Sequence, residues 1–108
     1  MDKLERIRYE AGEKLQSVLY LLNDLSNGIT LDKETGGIAV GNIDKYMEAL
    51  DGVDIFRDEA ANKLQRSHTL FKMVLDGKAV DQEMAKKALL EVAKYMEILD
   101  LHKKPWIK

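Results

Sequence analysis

The stretch LERIRYEAGEKLQSVLYLLNDL, residues 4–25, decides the fold. Leu4, Ile7, Ala11, Leu15, Val18, Leu22 and Leu25 recur at steps of three and four, which places them on one stripe of an α-helix. Asp2 is suited to cap the start, with Glu5 at the capping-box spacing, and Gly28 after Asn27 is suited to end it in a left-handed turn. A helix over about 2–26 would be roughly 36 Å long at ~1.5 Å per residue. Leu19, Tyr20 and Leu21 widen its apolar surface, so it needs cover on more than one side.

The same spacing predicts three further helical stretches. Asn42 is placed to cap one over 42–51, with Ile43, Met47 and Leu50 on its face. After Asp51-Gly52 the pattern resumes through Phe56, Ala60, Leu64, Phe71 and Val74, giving either one helix kinked near Gly52 or a short helix followed by a long one over 54–76. Asp81 caps the last, about 81–102, lined by Met84, Ala88, Leu89, Val92, Met96 and Leu99, with Pro105 beyond it. Between the first two, Ile29-Thr30-Leu31 and Ile38-Ala39-Val40 flank a turn-rich segment and predict a small β-hairpin or an irregular loop over 28–42. The expected fold is all-α: one domain over 1–108, an up-and-down bundle of three to four helices with a short tail, 103–108. Lys45–Asp51 and Lys94–Asp100 agree at six of seven positions, but their flanks diverge and the echo reads as chance on a helical composition.

Composition narrows the function. The chain has 108 residues, 17 basic against 19 acidic, a net charge of −2 and no cysteine. That removes disulfides, thiolate zinc sites and cysteine nucleophiles, and fits a reducing, cytoplasmic setting. With no basic excess, nucleic acid is disfavoured as a partner. The basic residues nearest to a patch are Lys86, Lys87 and Lys94 with the tail lysines. A helix-turn-helix at Asp51-Gly52-Val53 would present Asp54, Asp58 and Glu59 to phosphates, which repels. No apolar run approaches the ~20 residues that span a bilayer, so no membrane is expected. His68 and His102 lack metal-ligand spacing. Asp32–Gly37 begins like a calcium loop but has Ile43 where the twelfth position needs Glu.

Carboxylates form the one enzymatic candidate. Glu10 and Glu13 share a face of the first helix, and Glu48 and Asp51 do so on the second. The words EAGEKL and EALDGVDIF resemble the two motifs of the MazG-like nucleoside triphosphate pyrophosphatases. That resemblance implies Mg²⁺ held by Glu10, Glu13, Glu48 and Asp51 on a triphosphate substrate, and it stands as the alternative reading; a nucleic-acid-binding helical module using Lys86, Lys87, Lys94 and the tail lysines is the second alternative. The leading expectation is a non-catalytic helical module without a cofactor, a regulator or assembly subunit that binds another protein and forms a homodimer. Its contact residues would be Leu19, Tyr20 and Leu21, surplus to a three-helix core, with Trp106 and Ile107 in the tail.

Overall fold

The computed structural model describes the backbone of residues 3–99 and the side chains of residues 5–99. Four helices follow one another: α1 (Lys3–Ser26), α2 (Lys33–Ala49), α3 (Asp54–Leu75) and α4 (Gln82–Ile98). Each packs against its neighbour in the chain, and α1 closes the ring against α4. The early part of α2 lies on the end of α3 at Gly36, Asp44 of α2 meets His68 of α3, and the two are joined by residues 50–53. Neighbours are therefore antiparallel, and the all-α up-and-down bundle is observed with four helices. The stripe on α1 is buried from Ile7 through Leu25.

The hairpin is not there. Among the described residues there is no strand, and α2 begins at Lys33 rather than near Asn42. Asp32 is its cap: the Asp32 carboxylate accepts the Thr35 backbone N–H at 2.8 Å. Asn42 lies inside α2 and donates to Ser17 Oγ at 3.2 Å. Gly36 and Gly37 weaken helix propensity locally, but Gly36 is where α2 must come close to α3. A Cβ on Gly36 would stand 2.8 Å from Val74 Cγ1 and 2.9 Å from the Leu75 backbone nitrogen. Packing overrides propensity here. The loop between α1 and α2 shrinks to residues 27–32.

The echo between Lys45–Asp51 and Lys94–Asp100 is not chance. Shifting the chain by 49 residues superimposes α2 on α4 at both ends and makes α1 and α3 end together. Over residues 5–50, 16 of 46 residues are identical to the one 49 positions on; the pairs include Ala11/Ala60, Leu15/Leu64 and Tyr46/Tyr95 in the core and Gly28/Gly77 and Asp32/Asp81 at helix ends, alongside solvent-facing Lys45/Lys94 and Glu48/Glu97. Hydrogen bonds repeat as well. Ile29 N–H donates to Asp24 O at 3.0 Å and Lys78 N–H to Met73 O at 2.8 Å, closing the same left-handed helix end over Gly28 and Gly77. The bundle is two copies of one helical hairpin, α1–α2 and α3–α4.

The copies clasp each other reciprocally, as an isologous dimer does. Gln82, at the start of α4, lies over Gly28 of the first hairpin; Lys33, at the start of α2, lies over Gly77 of the second. Where they cross, Tyr46 and Tyr95 reach inward from opposite corners of the ring. Their hydroxyls are 2.6 Å apart and their rings meet edge to face, with centroids 6.0 Å apart. Both side chains are fully buried. The two equivalent tyrosines thus touch across the axis that relates the hairpins.

Candidate functional site

Three of the four carboxylates of the alternative reading have partners close by in sequence. Glu10 is paired with Lys14 at 3.7 Å and Asp51 with Arg57 at 3.6 Å, while Glu48 is exposed on the last turn of α2. Glu13 takes the hydrogen bond of Tyr9, and that bond, with the charge of Glu13, raises the Tyr9 pKa. Among the described residues no three acidic or histidine side chains cluster in a way that could hold a metal ion. Asp32 caps a helix and residues 33–37 are helical, so the calcium-like segment is not a loop. The Asp51-Gly52-Val53 turn joins two helices that pack antiparallel along their lengths, which leaves no protruding recognition helix.

The buried tyrosine pair was not marked in advance as a site. Burial first, then the charge and hydrogen bond of Tyr95, push the Tyr46 phenol far above its ordinary range. Burial raises Tyr95 to about 12; its bond to Tyr46 works the other way and Glu59 adds to the rise. Both phenols stay protonated near neutrality.

The expected contact residues divide. Leu19 is buried and belongs to the core, and Leu21 is half-buried against it. α1 is packed against α2 and α4, and neither leucine is left standing in solvent. Tyr20 alone of the three is exposed, its hydroxyl 3.4 Å from Gln16 Nε2. Trp106 and Ile107 lie outside the described residues. Lys86, Lys87 and Lys94 are exposed, Lys86 lying 3.4 Å from Glu83.

Compared with family models, curated proteins and solved structures, the chain matches none. The duplication supplies an internal comparison instead. Large apolar side chains stand in solvent on the first hairpin at Tyr9, Tyr20, Ile29 and Ile38. The equivalent positions of the second hairpin hold Asp58, Thr69, Lys78 and Lys87. The fold therefore does not need an apolar residue at any of the four. The second hairpin has its own exposed set, Ile55, Leu75, Leu90 and Ile98, where the first carries Arg6, Ser26, Gly41 and Ala49. Two equivalent scaffolds have acquired different outward faces.

A cleft of about 570 Å³ opens between the two hairpin loops, with Leu25 and Val74 in its floor, Leu31 and Val80 in its walls, and Lys33 and Lys78 at its rim. All of its lining except Asp32 is paired by the 49-residue shift. No helix of the described residues is long and apolar enough to cross a membrane.

Proposed function

We propose that this chain is a non-catalytic helical module acting through protein–protein contacts, as a regulator or an assembly subunit of the cytoplasm that self-associates as a homodimer. The observation that carries the reading is the set of four outward apolar side chains on the first hairpin, at positions the second hairpin fills with Asp58, Thr69, Lys78 and Lys87. Exposed tyrosines and isoleucines add nothing to a core, and large apolar side chains are the anchors that protein interfaces use.

The comparison between hairpins also designs the experiment. A chain carrying Tyr9→Asp, Tyr20→Thr, Ile29→Lys and Ile38→Lys takes residues already compatible with this backbone. Its helical circular dichroism and melting midpoint should stay near those of the parent. Tagged parent and variant are then used to capture partners from lysate of the source cell, read by quantitative mass spectrometry. A stoichiometric partner should be held by the parent and depleted at least about tenfold with the variant. Equal recovery with both proteins would remove the first hairpin's face from the contact. Magnesium-dependent release of pyrophosphate from nucleoside triphosphates, lost in Glu10→Gln, would contradict the non-catalytic reading altogether.

A further inference from the structure

The three connections between helices are not equally secured. Residues 27–32 and 76–81, inside the hairpins, are each closed by an aspartate cap: Asp32 accepts the Thr35 N–H at 2.8 Å and Asp81 the Glu83 N–H at 2.9 Å. Each is also held by its left-handed glycine beneath a side chain of the other hairpin. The connection between the hairpins, residues 50–53, has neither device. Val53, at the cap position before α3, offers no side-chain cap, and Gly52, at φ +83°, has nothing within 4 Å of where a Cβ would be.

This turn is also nearly helical already. Leu50 N–H donates to Met47 O, Asp51 N–H to Glu48 O and Val53 N–H to Leu50 O, all one residue short of the α-helical bond. Leu50 sits at φ −88°, ψ 3°, whereas Gly52 has φ +83° and Val53 φ −121°, ψ 73°, both outside the helical region. The apolar stripe does not lose phase across it. Tyr46, Leu50, Val53, Ala60 and Leu64 keep alternating steps of three and four, with exposed Arg57 alone off the pattern. A continuous helix through residues 33–75 would keep one buried face.

We propose that the chain associates with a second copy of itself by exchanging hairpins, α2 and α3 straightening into one helix across residues 50–53. The clasp between hairpins is reciprocal and is made by residues on separate hairpins, so a second chain can supply every contact that one chain supplies to itself. The Tyr46–Tyr95 pair, the Asp44–His68 pair and the loop contacts over Gly28 and Gly77 all re-form between chains. Only the four-residue connection changes conformation. The exchange is independent of the outward face proposed to bind a partner, since that face lies within one hairpin.

The test uses the full chain, which has no cysteine of its own. Asp44→Cys with His68→Cys places two thiols at a contact of α2 with α3, where the native side chains are 2.9 Å apart. In a straightened chain residues 44 and 68 are about 36 Å apart at ~1.5 Å per residue, beyond a short bis-maleimide. Dimer isolated by size exclusion and treated with that reagent should run on a denaturing gel at twice the chain mass. Gly52→Ala is the second arm. Alanine is strained at a positive φ and is the better helix former, and each dimer holds two such connections, so the association constant should rise about tenfold or more. Cross-linking confined within single chains of the dimer fraction, no dimer at millimolar concentration, or a Gly52→Ala protein that melts lower yet stays monomeric would each overturn the proposal.

Discussion

Replacing Tyr46 with alanine should lower the unfolding free energy by about 3–5 kcal/mol, read from urea denaturation, the range for emptying a large aromatic site in a core. The side chain is fully buried at the crossing of the hairpins, so its loss opens a cavity that helices on four sides cannot all relax into. Tyr46→Phe isolates the hydroxyl. The rings keep their edge-to-face packing, but the Tyr95 hydroxyl is left buried without its 2.6 Å partner. The expected cost is about 1–3 kcal/mol, the penalty of an unsatisfied buried polar group. Adding Tyr95→Phe removes the orphan, and the double variant should recover most of that loss. The pair also sets an alkaline limit. Tyr95 titrates near 10 when unfolded and at about 12 in the fold, so its contribution is complete below pH 10 and disappears as the pH rises from there towards 12. The Phe/Phe variant should lack that part of the alkaline loss.

Gly36→Ala should destabilise the bundle although alanine is the better helix former. The new methyl would meet Val74 Cγ1 at 2.8 Å, the Leu75 backbone nitrogen at 2.9 Å and the Phe71 carbonyl oxygen at 3.0 Å. Two of the three are backbone, so α2 and α3 must move apart. Overpacking of this kind costs about 1–3 kcal/mol, against about 0.5–1 kcal/mol gained by removing a helical glycine. Gly41→Ala is the control: it sits on the same helix with nothing within 4 Å, and should gain that increment undiminished. The two thermal midpoints should move in opposite directions. The second hairpin has buried Ala85 at the position of Gly36, so the contact of α4 with α1 accommodates the methyl that the contact of α2 with α3 refuses.

Residues 4–25 made α1 legible because nothing in that stretch competes with its stripe, and the helix found, Lys3–Ser26, follows the expected one throughout the described residues; the expected cap Asp2 lies outside them. Asp81 was legible as a cap for the same reason. The first half of α2 was not. Two adjacent glycines and β-branched neighbours argue locally for a turn, and the reason for Gly36 lies on α3, some forty residues away. The 49-residue shift resolves it from sequence alone: Asp32 matches the clear cap Asp81, and Gly28 matches Gly77. That signal is sparse because the identities are scattered over core, helix ends and surface, while buried positions such as Leu22/Phe71 and Ile43/Val92 have changed, so the heptapeptide at Lys45 and Lys94 is the longest match.

The candidate contact residues show the same division. Leu19 is buried in the core and Leu21 half-buried against it, so neither is spare for a partner. Tyr20 stays outside, and its equivalent, Thr69, shows that no packing requirement put it there. The acidic pairs have plausible spacing within each helix, but spacing along a helix does not fix which way it turns in the bundle. Lys14 and Arg57 then provide nearer partners for Glu10 and Asp51.

The most direct test of two equivalent hairpins clasped about one axis is a three-dimensional NOESY spectrum of the isotope-labelled chain. Mutual cross-peaks between the rings of Tyr46 and Tyr95 are expected, together with Gly28 to the Gln82 side chain and Gly77 to the Lys33 side chain. Tyrosine rings without contacts to each other, or one glycine contact without its counterpart, would contradict it.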